Sequence, residues 1–365
     1  MKKTKFYNVH KKLGAKIVEF AGYEMPIQYS SIIAEHKAVR NSVGVFDVSH
    51  MGEVFVSGER ALDFVQNITV NDASKLTNGR VQYSAMCYPD GGIVDDLLVY
   101  RIDENEFMLV INASNIDKDF QWMNDNNKFN VKLENKSDDY SLLAVQGPKS
   151  KQTLKKLTSV DLDTLEYYHF VKAKVAGKDM ILSRTGYTGE LGYELYFMGN
   201  ENDAEDLWEK VFDAGKEFDI QPAGLASRDS LRLEMGFCLY GNDIDKTTNP
   251  LEAGLGWITK LSKENFIGRE KLLEVKTKGL SRKLCGLLSD EKAFPRHGYD
   301  INSNGKTIGK VTSGTVSPVL EKPIALGYIE KEFTNERSEV NISVRGKETP
   351  ARIVKLPFVK NESGS

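Results

Sequence analysis

Alternating apolar and polar positions divide most of the chain into short strands and amphipathic helices. From residue 53 to 135 the pattern predicts a strand, a helix, a β-hairpin, a strand, a helix and a strand, and a similar order follows from 140 to 218. Two such units predict an α+β fold made of two ferredoxin-like or mixed halves. The predicted elements are 53–57, 60–69, 80–101, 106–112, 114–127 and 129–135, then 140–146, 148–157, 167–175, 178–184, 192–197 and 203–218.

Two helix starts are predicted from capping residues. Ser114 with Asp117 resembles a capping box, and Asn202 or Asp203 opens the later helix. Further helices are predicted at 31–41, 223–235 and in the lysine-rich stretch near 270.

The C-terminal part changes character, because its apolar runs become short and are separated by turn residues. Runs at 284–288, 307–312, 324–329, 339–344 and 349–356 predict a small β-barrel. The last residues, 360–365, are predicted to be a frayed tail.

The hairpin around Pro89-Asp90-Gly91-Gly92 carries two adjacent carboxylates, Asp95 and Asp96, inside its second strand. Aspartate is depleted in strand interiors, so this break in the pattern indicates a functional or strained position. Alternation places the two on opposite faces, and Tyr83 of the first strand can share the face of Asp96. One carboxylate should then enter an apolar, aromatic pocket, where its pKa would rise. An exposed edge strand with one solvated and one turn-capping aspartate explains the residues equally well.

A second stretch with chemical interest is the glycine-rich segment 183–195, which either cradles a flat ligand or forms a plain hairpin loop. Glu194 alternates with its apolar neighbours and can accept two hydrogen bonds from an amidine-like edge. In the helix 223–235, Arg228 and Arg232 stand four residues apart on one face. A surface ladder with Asp229 and Glu234 is the other interpretation.

Composition and charge exclude several classes of protein. The formal net charge of −3 gives no basic field for nucleic acid, and no run of 18 apolar residues predicts a membrane span. Five histidines lack metal-ligand spacing, and we interpret His50 as a satisfied structural histidine. Three widely spaced cysteines, each among apolar residues, predict buried free thiols in a reducing compartment and a cytoplasmic location.

Six motifs, in order along the chain, resemble the glycine cleavage T-protein family, and the likeness extends from about Lys5 to Phe358. They are Val45-Phe-Asp-Val-Ser-His-Met-Gly, Gly91-Gly-Ile-Val-Asp-Asp-Leu, Ser183-Arg-Thr-Gly-Tyr-Thr-Gly-Glu, Ala226-Ser-Arg-Asp-Ser-Leu-Arg-Leu-Glu, Tyr240-Gly-Asn-Asp-Ile and Val311-Thr-Ser-Gly followed by Ser317-Pro. The resemblance implies a three-domain cloverleaf around a central folate pocket. The implied domains are a folate-binding region 1–280, in which 1–50 joins 137–280 and 51–136 stands apart, and a β-barrel 281–360.

The resemblance also implies a reaction and its partners. An aminomethyl group on the lipoyl arm of H protein gives its methylene to tetrahydrofolate, releasing ammonia, 5,10-methylenetetrahydrofolate and dihydrolipoyl H protein. The P and L proteins of the same system are indirect partners. Tetrahydrofolate is a co-substrate, and no metal or pyridoxal phosphate is expected.

The family's site residues match positions of this sequence. Asp96 matches the catalytic carboxylate near the reacting folate nitrogens, Glu194 the acid that grips the pterin amidine edge, and Arg228 an arginine near the folate. The matches to pocket-lining positions are Tyr83, Tyr100, Asn112, Tyr187 and Met51.

The resemblance also bears on the pocket mouth. Arg296 matches a pocket-mouth arginine and is the best candidate to attract an acidic H protein, while Arg282 and Lys283 are interpreted as solvated surface. The chain departs from the family where no tyrosine follows Pro357-Phe358, which predicts a lost folate contact.

Two other functions remain open at this point. One is a related folate-dependent demethylase or the folate domain of a sarcosine-type dehydrogenase, although the chain has no flavin domain. The other is a non-catalytic folate-binding protein, whose Lys-Gly-Cys-x-x-Gly-Gln motif is absent here.

Overall fold

The computed structural model describes residues 1–360, so most of the predicted frayed tail lies outside the described residues. The N-terminal segment forms a three-stranded sheet in the order β1-β3-β2, followed by a helix that Ser31 caps by accepting the Ala34 N–H at 3.1 Å. Its elements are β1 (Lys2–Lys3), α1 (Tyr7–Lys12), β2 (Lys16–Phe20), β3 (Tyr23–Gln28), α2 (Ile32–Asn41) and β4 (Gly44–Asp47).

The next part is an antiparallel sheet in the order β6-β7-β8-β5-β9, with two helices on one face. Alternation decides its two faces, because Val54, Leu97 and Leu109 pack under the helices while Phe55 and Tyr100 point the other way. Its elements are β5 (Gly52–Ser57), α3 (Ala61–Ile68), β6 (Val81–Cys87), β7 (Ile93–Asp103), β8 (Glu106–Ile111), α4 (Ile116–Asp125) and β9 (Lys132–Asn135).

A six-stranded sheet follows in the order β11-β12-β13-β10-β4-β14, antiparallel except for the β4–β14 pair. Phe46, Leu142 and Tyr196 on its inner face pack against Phe55 and Tyr100, so the two sheets share one apolar layer. Its further elements are β10 (Tyr140–Gln146), α5 (Ser150–Leu154), β11 (Phe170–Val175), β12 (Lys178–Ser183), β13 (Gly192–Met198), α6 (Glu201–Gly215), β14 (Gln221–Pro222) and α7 (Leu225–Glu234).

The C-terminal part is a closed barrel in the order β15-β18-β17-β16-β19-β20, as the short apolar runs predicted. The α+β fold with a C-terminal barrel is therefore confirmed, whereas the division into three domains stays a prediction. The elements are α8 (Arg269–Lys278), β15 (Arg282–Leu288), β16 (Asp300–Ser303), β17 (Lys306–Val316), β18 (Pro323–Glu330), β19 (Glu339–Val344) and β20 (Lys347–Val354).

Hydrogen bonds to the buried ion pair of Arg232 and Asp243 join the barrel to α7. The Arg232 guanidinium donates to Asp243 Oδ2 at 2.6 Å, and Thr312 of β17 donates to the same carboxylate. The Tyr328 hydroxyl of β18 donates to the Asp243 carbonyl at 2.9 Å. Because Arg232 is only 1% exposed, the alternative interpretation of this helix as a surface ladder is wrong, although Arg232 does pair with Asp229 at 2.8 Å. Glu234, the other acid of that ladder, is buried as well and accepts hydrogen bonds from His36 and Arg40.

Both predicted helix starts are also wrong, for reasons of capping. Helix α4 begins at Ile116 with Asn115 before it and no side-chain cap. Helix α6 begins at Glu201, because Asn200 accepts the Asp203 N–H at 3.1 Å while the Asp203 carboxylate accepts the Asn200 N–H at 3.0 Å.

None of the helices within residues 1–360 has the length and apolar character needed to cross a bilayer. The three cysteines are buried free thiols, as predicted.

Candidate functional site

A cavity of about 680 Å³ lies where the two sheets meet the barrel. This is the size of a small-molecule site. The two sheets and α7 contribute side chains to the cavity wall. The barrel contributes residues 283–286 and the adjoining segment 353–357. Seven of the nine predicted site residues line this cavity: Asp96, Glu194, Arg228, Tyr83, Asn112, Tyr187 and Met51.

Asp96 reaches the cavity because of the strand register. It lies opposite Ala85, and Tyr83 lies opposite Leu98, so Tyr83 and Asp96 project from the same face of the hairpin. The Tyr83 hydroxyl donates to Asp96 Oδ2 at 2.9 Å, and Asn112 Nδ2 donates to Asp96 Oδ1 at 2.8 Å. The predicted facing of Asp96 is thus confirmed, and an exposed edge strand is not what forms here.

Burial and, to a smaller extent, the neighbouring Asp95 raise the pKa of Asp96 to about 7. The hydrogen bonds from Tyr83 and Asn112 favour the ionised form and oppose that rise. A carboxyl group with such a pKa both accepts and donates a proton near neutral pH.

Glu194 forms another wall of the cavity. Its carboxylate accepts hydrogen bonds from the Thr185 hydroxyl and, at 3.2 Å, from the Tyr196 hydroxyl. Burial raises the pKa of Glu194, while these donors and the nearby Arg228 lower it. The backbone of the glycine-rich segment 183–195 packs closely against Gln146 at this wall. A Cβ on Gly186 would lie 2.1 Å from Gln146 Oε1, so only glycine fits there.

Arg228 brings a positive charge to the cavity wall. Its guanidinium lies 4.5 Å from the centre of the Tyr187 ring, a cation–π contact. Within residues 1–360 it makes no hydrogen bond or ion pair, so its N–H groups are free for a ligand. The Tyr187 hydroxyl donates a hydrogen bond to the Cys238 carbonyl.

Two predicted residues are not on the cavity wall that the described residues form. Tyr100 is fully buried behind it, where its hydroxyl lies 3.0 Å from Tyr196 and 3.3 Å from Thr185, the two partners of Glu194. Arg296 is exposed on the barrel outside the wall. The sequence match placed both at the pocket because it carries no information on how the barrel and the sheets are oriented.

The interpretation of His50 as a satisfied histidine is wrong. Its side chain is buried against the edge of Phe20, and its Nδ1 has no hydrogen-bond partner among the described residues. Burial, with help from Arg228, lowers the pKa of His50 to about 4, which keeps the ring neutral.

Several cavity residues were missed by sequence reasoning. Trp257 is 64% exposed and lies on the wall with its ring 6.1 Å from that of Tyr83. Lys283 is exposed, as its interpretation as surface predicted, and it also lines the cavity, whereas Arg282 pairs with Glu252 at 3.0 Å. A tryptophan in the glycine-rich loop 254–257 was the one available signal, since loops often carry binding residues.

The cavity wall offers carboxylates, one free guanidinium and aromatic rings. No group of three or more potential metal ligands occurs among residues 1–360. Such a wall suits a flat, polar organic molecule and proton transfer to or from it.

Comparison with known proteins adds family and structural matches. The GCVT N-terminal domain model matches residues 6–263, and the glycine cleavage T-protein C-terminal barrel domain model matches residues 282–360. The chain is 50% identical to an aminomethyltransferase of Halothermothrix orenii over 98% of this chain and 100% of that protein. The chain is also 53% identical to an aminomethyltransferase of Flavobacterium psychrophilum, over 99% of this chain and 100% of that protein. The crystal structure of glycine cleavage system aminomethyltransferase T from Bartonella henselae matches with a TM-score of 0.92 at 35% identity, covering 99% of this chain and 98% of that one.

Proposed function

The chain belongs to the glycine cleavage T-protein family and is an aminomethyltransferase, and we propose that its central cavity holds tetrahydrofolate with the reacting nitrogens beside Asp96. The donor is the aminomethyl group on the lipoyl arm of H protein. The products are ammonia, 5,10-methylenetetrahydrofolate and dihydrolipoyl H protein. The observation that supports this proposal most is the hydrogen-bonded carboxyl group of Asp96 on the cavity wall.

The transfer requires two bonds to break and two to form at one carbon. The methylene loses its bonds to the lipoyl sulfur and the amino nitrogen, and it gains bonds to N5 and N10 of the folate. The two protons that leave these nitrogens end on ammonia and on the thiol. Asp96 accepts a proton from the folate and returns it to a leaving group, a role typically worth about 100- to 10,000-fold in rate.

The remaining wall residues position the two substrates. Glu194 accepts hydrogen bonds from the amidine edge of the pterin, and the free N–H groups of Arg228 bind an acceptor of the folate. Met51 and Tyr187 shape the walls, while Tyr100 acts only through Thr185 and Tyr196 on Glu194. Holding folate and lipoyl arm together supplies a large part of the rate, because it converts an encounter of two molecules into a reaction within one complex.

The partner follows from the reaction. Lipoylated H protein delivers the donor, and the P and L proteins act before and after it on the same arm. Arg296, exposed on the barrel, is the residue proposed to meet an acidic H protein. A cytoplasmic location stays a prediction.

The test is a turnover assay with three donors. The purified chain is mixed with tetrahydrofolate and either aminomethyl-loaded H protein, unloaded H protein or a methylated amine. Ammonia and 5,10-methylenetetrahydrofolate are measured. We expect products only with the loaded H protein, and at least a 100-fold loss in Asp96→Asn. The control is Asp103→Asn, an exposed carboxylate at the end of the same strand.

The other outcomes separate the alternatives. Turnover with the methylated amine and not with H protein would identify a demethylase. Folate binding without turnover of any donor would identify a binding protein.

A further inference from the structure

We propose that Trp257 binds the lipoyl arm at the mouth of the cavity, on the side from which the arm brings its carbon to Asp96. The inference deepens the proposed function and rests on it, because that function supplies the lipoyl arm as the donor. The reaction as described above assigns no role to Trp257, although its ring is both exposed and on the cavity wall.

The exposure of Trp257 is fixed by the loop that carries it. Its neighbours Leu255 and Ile258 are buried in the apolar cluster that joins the sheets to the barrel. The Lys260 N–H donates to the Val70 carbonyl at 2.9 Å. The backbone on both sides of Trp257 is thus anchored, and the ring is held out in solvent. A large aromatic ring held in this way is typical of a residue that binds a partner or a ligand.

Trp257 lies close to the reacting group. Its ring centre is 6.1 Å from that of Tyr83, and both rings lie on the cavity wall. The Tyr83 hydroxyl donates to Asp96 Oδ2 at 2.9 Å. A single aromatic ring therefore separates the exposed Trp257 from the carboxyl group that handles the proton.

Another part of the wall carries the proposed pterin site. Tyr168, on the cavity wall, donates its N–H to the Arg184 carbonyl at 3.0 Å, one residue before the threonine that binds Glu194. Tyr167 beside it is also exposed and lines the cavity. With the pterin at Glu194, the folate occupies this part of the wall. The donor then reaches the reacting carbon from the side of Trp257.

The chemistry of the arm fits this ring. A lipoyl group on a lysine side chain consists of two runs of methylene groups joined by an amide, with no charge along them. Such a chain is recognised by apolar contact, and a tryptophan offers a large apolar face. Its indole N–H makes no hydrogen bond within residues 1–360, so it is free to donate to the amide carbonyl of the arm. Ala253 and Leu255 extend the apolar surface along the wall.

Three variants test the contact. Trp257→Ala removes the ring, and Trp257→Phe keeps an aromatic face without the N–H. Met198→Ala is the matched control, because Met198 is 63% exposed at the end of β13 and lies off the cavity wall. Each variant is assayed with loaded H protein, and its affinity for tetrahydrofolate is measured by calorimetry.

Trp257→Ala should raise the KM for loaded H protein about tenfold, the loss typical of an aromatic anchor. Its kcat should change much less, and its affinity for tetrahydrofolate should stay that of wild type. Trp257→Phe should recover most of the loss, and Met198→Ala should show none. Because the contact is apolar, the KM of Trp257→Ala should respond to salt as that of wild type does.

Three results would overturn the proposal. An unaltered KM for H protein in Trp257→Ala would show that the arm does not touch the ring. A loss of tetrahydrofolate affinity in that variant would make Trp257 a folate contact. A shift in the acidic limb of kcat against pH, with KM unaltered, would show that the ring only supports Tyr83 and, through it, Asp96.

A second measurement needs no turnover. Trp257 is the exposed tryptophan of the three, since Trp208 is buried and Trp122 is half-buried. Free dihydrolipoamide should therefore quench the tryptophan fluorescence of wild type and not that of Trp257→Phe. Equal quenching in the two would overturn the arm site. Failure of the transfer reaction in wild type, with the quenching intact, would refute the proposed function and leave the arm site standing.

Discussion

Removing the Tyr83 hydroxyl tests whether its hydrogen bond lowers the pKa of Asp96. In Tyr83→Phe the ring stays and the 2.9 Å hydrogen bond to Asp96 Oδ2 is lost. A hydrogen bond to a charged group contributes about 1.5–3 kcal/mol, and one pKa unit corresponds to about 1.4 kcal/mol. Because the bond favours the ionised form, its loss should raise the pKa of Asp96 by about one to two units, from about 7.

The assay is kcat against pH with both substrates saturating. A rise of about one unit lowers the ionised fraction of Asp96 at about pH 7 from roughly one half to roughly one tenth. Turnover there should fall about fivefold and recover at about pH 9 and above. Tyr187→Phe is the matched control, because its hydroxyl donates to the Cys238 carbonyl and not to Asp96.

Either of two results would refute this explanation of the Asp96 pKa. An acidic limb that stays in place in Tyr83→Phe would show that the hydroxyl does not stabilise ionised Asp96. An equal shift in Tyr187→Phe would show that the cavity as a whole, and not this bond, sets the pKa.

Three further predictions concern the same reaction. Asp96→Asn should lose at least about 100-fold in turnover and Asp95→Asn less than tenfold, in assays with loaded H protein; equal losses would contradict the assignment of faces. Glu194→Ala should weaken tetrahydrofolate binding by about 1.5–3 kcal/mol per lost charged hydrogen bond, measured by calorimetry, and unchanged affinity would remove its role. Arg296→Glu should raise the KM for H protein and reduce its salt dependence, since exposed charges are screened beyond about 10 Å at 0.1 M salt; Arg345→Glu, exposed elsewhere on the barrel, is the control, and an unaltered KM would place the docking surface elsewhere.

Local patterns were enough to predict the hairpin and the opposite facing of Asp95 and Asp96, because a strand has a period of two. They did not decide which of the two shares a face with Tyr83, because a bulge between Met86 and Cys87 shifts the register by one residue. The bond between Tyr83 and Asp96 follows from that register. The barrel was predictable for a similar reason, because its short runs and turns are local features.

The contacts across elements were not predictable in this way. Asn115 donates to Asp95 at 2.7 Å because α4 packs on the sheet, and the start of this helix was misplaced when Ser114 was taken as a cap. Arg232 looked like a surface residue because its partner Asp243 comes from a loop eleven positions on, and its burial depends on where the barrel docks. Such contacts are set by packing, which the alternation of residue types does not encode.

The Asp243 junction has a consequence for how the molecule unfolds. Detaching the barrel would remove the hydrogen bond that Thr312 donates to the Asp243 carboxylate and the one that Ser313 accepts from the Arg232 guanidinium. Hydrogen bonds to charged groups contribute about 1.5–3 kcal/mol each. The barrel and the two sheets should therefore melt in one cooperative transition, and the barrel should not swing as a hinged cover. Both substrates then enter a cavity that is already assembled, so none of their binding free energy is spent on closing it.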